Sequence, residues 1–132
     1  MLRLPRAVRI FVATRPAHAA AGADSLVRRV REELGEDAFS GNLFCFFSRR
    51  RTKVKLLVWD SNGFWIFSKR LERGRFEQLD SRSSWVELTR EELVMLLAGI
   101  DTKNSKFRPG FAREIRLVSR SERDDRAERA TR

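Results

Sequence analysis

The 132-residue sequence is short of the residue types on which most protein chemistry depends. It holds one cysteine, Cys45, and one histidine, His18. A lone cysteine closes no internal disulfide, so a reducing compartment, the cytoplasm, is the expectation. One His and one Cys cannot complete a zinc site without carboxylate help. No C-x-x-C, H-E-x-x-H, Walker A or G-x-G-x-x-G pattern occurs. His18 stands in Pro16-Ala17-His18-Ala19-Ala20-Ala21-Gly22, a small-residue loop with nothing to orient an imidazole for a Ser-His-Asp arrangement. Cys45 lies in an aromatic run, where a small buried hydrophobe is the natural role. No apolar run approaches the ~18 residues of a membrane span. Arg9 and Arg15 interrupt any signal-peptide core, which predicts no secretion signal and no membrane partner. These absences predict a chain that is not an enzyme and uses neither metal nor cofactor.

What the sequence does hold is positive charge on an apolar frame. Lys and Arg number 28 against 18 Asp and Glu, for a net charge of +10, and 42% of residues are hydrophobic, including ten Phe. That apolar share is enough for a packed core, and an excess of this size implies a polyanionic partner. The charge comes in blocks. Residues 1–31 carry +6, 32–46 carry −4, 47–75 carry +7, 76–101 carry −4 and 102–132 carry +5. Folding is therefore expected to gather basic stretches into one face.

Periodicity places these blocks on elements. Leu43-Phe44-Cys45-Phe46-Phe47 reads as a strand, and Lys53-Val54-Lys55-Leu56-Leu57-Val58-Trp59 as a second, with Lys53 and Lys55 on one face and Val54 on the other. Asp60-Ser61-Asn62-Gly63 is a turn signal in which Asn and Gly tolerate positive φ, and Phe64 to Lys69 form a third strand. Asp24 or Ser25 can cap a helix over about 25–34, stopped by Gly35. Thr89-Arg90-Glu91-Glu92 is a capping box leading into Leu93, Leu96, Leu97 and Ile100 on one helix face, with Gly99 at its end. Strands near Ala7 to Thr14 and Trp85 to Leu88 complete an α+β reading: a single domain over 1–110, built as an antiparallel β-meander sheet with two or three packed helices. Residues 111–132 read as a basic, mixed-charge C-terminal extension. From about Ser119 it lacks an apolar seam, which predicts a solvated, mobile tail.

The +7 block supplies the candidate site. Arg49, Arg50, Arg51, Lys53, Lys55, Lys69, Arg70, Arg73 and Arg75 surround the hairpins of the meander and are expected to contact nucleic-acid phosphates rather than base edges. Two other readings carry distinct signatures. A metal-dependent nuclease would draw on Asp60, Glu72, Glu77 and Asp80, which would have to converge around two ions. A basic RNA-binding module would need Trp59 and Trp65 exposed for stacking.

A family resemblance runs through the same residues. Phe39-Ser40-Gly41-Asn42-Leu43-Phe44, Lys55-Leu56-Leu57-Val58-Trp59-Asp60, Gly63-Phe64, Lys69-Arg70-Leu71-Glu72-Arg73-Gly74-Arg75-Phe76 and Leu96-Leu97-Ala98-Gly99-Ile100-Asp101 occur in order. Together they resemble the second-open-reading-frame accessory proteins of insertion-sequence-sixty-six type transposons. That TnpB family is distinct from the RNA-guided nuclease of the same name. The resemblance implies a non-catalytic role in transposition beside a separate transposase, with DNA, the transposase or a second accessory protein as partner. Members of the family usually carry Asp-Met-Arg-Lys-Gly before the first helix, where this chain has His18-Ala19-Ala20-Ala21-Gly22.

Overall fold

The dense β-branched and aromatic runs form a sheet, and two amphipathic stretches cover it. The computed structural model describes residues 8–99 and the backbone of Arg116–Leu117. In chain order the elements are β1 (Ile10–Ala13), α1 (Ala23–Arg29), β2 (Leu43–Phe47), β3 (Lys53–Asp60), β4 (Gly63–Arg70), β5 (Trp85–Leu88), α2 (Arg90–Ala98) and β6 (Arg116–Leu117). Helix α1 continues through Val30–Leu34 as a π-helical turn, then stops at Gly35, whose φ of 71° is the left-handed value glycine adopts without penalty.

The strands form one sheet in the order β4-β3-β2-β1-β5-β6. As expected, β2, β3 and β4 are an antiparallel meander, with Phe44 opposite Leu57 and Leu57 opposite Ile66. The all-antiparallel expectation needs correction, because β1 and β2 run parallel, with Ile10 beside Leu43 and Val12 beside Cys45. A long connection carrying a helix is what a parallel neighbour requires, and α1 with its flanking loops supplies it. The β3–β4 turn also differs in detail. Positive φ falls at Ser61 (56°), while Gly63 opens β4.

Each face of the sheet has its own core. Leu26, Val30 and Leu34 of the α1 segment pack on Phe11, Phe44, Phe46, Leu57 and Trp85. Leu93 and Leu96 of α2 pack with Val12, Cys45, Phe47, Val54, Val58 and Val86 on the other side. Burial on both faces explains why β2 reads as an unbroken apolar run instead of alternating. At the start of α1 the N-cap is Gly22 with no side-chain cap, so neither Asp24 nor Ser25 fills that role. The α2 box forms as the spacing predicts: Glu92 N–H donates to Thr89 Oγ1 at 3.2 Å, and Thr89 N–H donates to Glu92 Oε1 at 2.8 Å. Gly99 ends α2 with φ of 76° and lies against Leu71, where a Cβ would come within 2.8 Å of Cδ1. Ile100 and the tail from Ser119 lie outside the described residues, as does the domain boundary at 110.

Candidate nucleic-acid interface

Strand directions decide which loops meet. The loop after β1 and the turn after β2 leave the same end of the parallel pair. There, Ala17 N–H donates to Phe47 O at 2.8 Å and Thr14 N–H to Ser84 O at 2.9 Å. Antiparallel pairing brings the start of β3 and the end of β4 to that end as well, Lys53 lying opposite Arg70. The following loop is tied in where Leu71 N–H donates to Thr52 O at 2.8 Å and Phe76 N–H to Arg51 O at 2.7 Å. Segments distant in sequence, 14–19, 48–53 and 70–77, thus form one end of the molecule. The opposite end holds the Asp60 turn and the ion pair of Arg9 with Glu87, in which Arg9 Nε donates to Glu87 Oε2 at 3.0 Å.

The gathered loops enclose a groove of about 380 Å³ lined by Pro16, Ala17, His18, Ala19, Ser48, Arg49, Arg50, Thr52 and Lys53. Its cationic wall is the β2–β3 turn, and its other wall is the small-residue loop. His18 is exposed, and its Nδ1 accepts from Ala20 N–H at 3.1 Å, so the bonding orients the ring as its sequence context did not suggest. Arg29 fixes this loop from below, donating to Pro16 O and Arg15 O at 3.2 Å while its guanidinium lies 5.3 Å from the Phe46 ring centroid.

The nine basic residues expected from sequence are not equivalent. Arg49, Arg50 and Lys53 are exposed at the groove, and Arg73 and Arg75 are exposed on the adjoining loop. None of these five has an acidic partner among the described residues. Arg51 turns inward. Its guanidinium stacks 4.4 Å from the Phe47 ring centroid, donates from Nε to Phe76 O at 3.0 Å, and donates from Nη2 to Glu77 O. Burial pushes its pKa down to about 10, against the opposing pull of Glu77, so it stays charged at neutral pH. Lys55 is half-buried, its Nζ donating to Ala21 O at 2.6 Å. Lys69 donates to Leu97 O at 3.0 Å near the end of α2, and Arg70 pairs with Glu72 at 3.2 Å. Arg51 and Lys55 hold the loops in place; the exposed five face solvent.

The carboxylates do not gather. Asp60 Oδ2 accepts from Trp65 Nε1 at 2.9 Å in the far turn. Strand β4, about 26 Å long, separates it from Glu72. Among the described residues no group of three or more His, Cys, Asp or Glu side chains could hold a metal ion. Burial pushes the Cys45 thiol far above its ordinary pKa, which suits core packing and disfavours a thiolate nucleophile. Trp59 is half-buried between Phe39 and Phe64, while Trp65 is exposed and stacks on Phe67. Trp65 lies five residues along β4 from Arg70, about 17 Å from the basic end, so it offers no stacking platform beside the groove.

Residues 8–107 match the family described as IS66 Orf2 like protein. The chain belongs to that family. Its members are accessory proteins of transposition. Two proteins of Sinorhizobium fredii (strain NBRC 101917 / NGR234) are similar over most of their length. Uncharacterized protein y4jC is 31% identical over 109 residues, covering 83% of this chain and 93% of the relative. Uncharacterized protein y4hO is 35% identical over 104 residues, covering 79% and 90% respectively. No solved structure matches the chain. Among the described residues no helix is long and apolar enough to cross a membrane.

Proposed function

We propose that the protein serves transposition by holding DNA through its basic end, as a non-catalytic partner of a separate transposase. The observation that carries this reading is the convergence of Arg49, Arg50 and Lys53 on one groove, without acidic partners among the described residues, beside Arg73 and Arg75. Cations left unpaired at one end of a fold favour phosphate oxygens, and contacts of this kind fix position on a duplex without reading sequence. The stretch in which the family usually carries charged residues, here His18 to Gly22, begins at the opposite wall of the same groove.

A salt titration of binding to duplex DNA tests the reading. For wild type, log K falls linearly with log salt, at a slope of about −0.9 for each phosphate neutralised. Arg49→Glu with Arg50→Glu leaves the inward-facing Arg51 in place. It is expected to weaken binding more than tenfold and to flatten the slope by about 1.8, the share of two phosphates. Unchanged affinity and slope in this folded variant would remove DNA contact from the groove.

A further inference from the structure

The outer edge of β4 is the clearest unpartnered surface. This strand ends the sheet order, and no other strand among the described residues pairs with its free side. Its sequence, Gly63-Phe64-Trp65-Ile66-Phe67-Ser68-Lys69-Arg70, contains no proline, and its pairing with β3 runs unbroken from Asp60–Gly63 to Lys53–Arg70, without a bulge. Apolar side chains stand on both of its faces: Phe64 and Ile66 toward the α1 layer, Trp65 and Phe67 toward the α2 layer. Trp65 is 48% exposed and Phe67 41%, and their rings stack 5.8 Å apart. An open edge without proline or bulge that carries exposed aromatic side chains is a template for strand addition, and proteins commonly cover such an edge.

The backbone pattern fixes what can be added. Asp60 faces Gly63 across a two-residue turn, and Leu71 N–H donates to Thr52 O, so odd-numbered residues from 63 to 71 bond toward β3. The free edge therefore offers the N–H and C=O groups of Phe64, Ile66, Ser68 and Arg70. A second β4 running antiparallel satisfies them with Ile66 opposite Ile66 on a two-fold axis and Phe64 opposite Ser68. Trp65 of each copy then lies across from Phe67 of the other, in the closer, non-hydrogen-bonded pairing that suits aromatic contacts. Charge selects the antiparallel arrangement. A parallel pair would stack Lys69 on Lys69 and Arg70 on Arg70. The antiparallel pair sets these cations against the Asn62–Gly63 turn, beside Asp60.

We infer that the chain self-associates through β4, forming one continuous sheet across a two-fold axis with Ile66 at its centre. The axis directs the two basic ends in opposite directions. On the DNA reading above, one dimer then holds two duplexes.

Sedimentation equilibrium of the full chain at micromolar concentration tests the interface. The expected mass is twice the 15.4 kDa of one chain. Ser68→Pro removes an N–H that points away from β3, and the pair Trp65→Lys with Phe67→Lys charges the exposed ring positions. Both are expected to sediment as single chains with unchanged circular dichroism. Ile66→Cys is expected to give a disulfide-linked dimer on mild oxidation, since the buried Cys45 is out of reach. A wild-type mass of one chain, or a dimer that survives the folded lysine variant, overturns the inference. A second readout separates it from the DNA reading: immobilised duplex should capture a free labelled duplex with wild type but not with the lysine variant. Dimer mass without capture would leave the interface standing and count against the DNA reading.

Discussion

Arg51 is the residue at which structure and sequence assign opposite roles, and replacing it separates them. In sequence it is the third of three consecutive arginines, indistinguishable from its neighbours. In the fold it lies over Phe47 and donates to the carbonyl oxygens of Phe76 and Glu77, tying the 71–77 loop to the β2–β3 turn. A partly desolvated cation–π contact contributes about 1–2 kcal/mol. Hydrogen bonds from a charged donor contribute roughly 1.5–3 kcal/mol each, and shared geometry makes these terms less than additive. Arg51→Ala is therefore expected to cost about 3 kcal/mol, a fall in Tm of roughly 15 °C for an ordered region of this size. Arg51 also holds φ of 58°, and a side chain in that left-handed region costs about 1 kcal/mol. Arg51→Gly relieves that strain while losing the same contacts, so it should be about 1 kcal/mol less destabilising than Arg51→Ala. Arg51→Lys should not restore stability, because an ammonium cannot stack and fork between two carbonyls as guanidinium does. Urea unfolding followed by tryptophan fluorescence gives all three values. A loss below about 1 kcal/mol for Arg51→Ala, with DNA affinity reduced as in the Arg49 and Arg50 variant, would refute the anchoring role.

Two further outcomes follow from the packing. Cys45 is fully buried and its thiol is held protonated by that burial, so alkylation by iodoacetamide at pH 8 should proceed only through opening of the sheet. The reaction rate should rise with urea in step with unfolding, and rapid labelling of the native protein would contradict the core placement. Thr89→Ala removes one half of the α2 capping box and should cost about 1 kcal/mol, read as a lower urea midpoint with an unchanged slope.

Much of this fold is legible in the sequence because local chemistry decides it. The β2–β4 meander follows from the Asp60–Gly63 turn signal and the short polar connection at 48–52 between apolar runs. The capping box fixes the start of α2, and Gly35 and Gly99 mark where helices end. The parallel pairing of β1 and β2 is not a local property. It depends on where the α1 crossover returns the chain, which strand propensity does not encode. The candidate site divides in the same way. The +7 block falls mostly at one end of the fold, but a sequence of adjacent cations cannot say which ones find carbonyls or rings. Arg51 meets Phe47, Phe76 and Glu77 only through tertiary contact, and Lys55 meets Ala21 across 34 residues. The part played by His18 and its neighbours in the groove has a faint signal in hindsight: a run of small residues leaves room for a cleft beside the arginines.

On the proposed function, DNA meets this protein at the end built from residues 14–19, 48–53 and 70–77. Amide chemical-shift mapping during titration with a short duplex tests it most directly. Perturbations are expected to concentrate at Ala17 to Ala19, Ser48 to Lys53 and Arg73 to Arg75, with the Asp60 turn and α2 silent. Shifts centred on α2 or on the Asp60 turn, or no shifts at low salt, would contradict it.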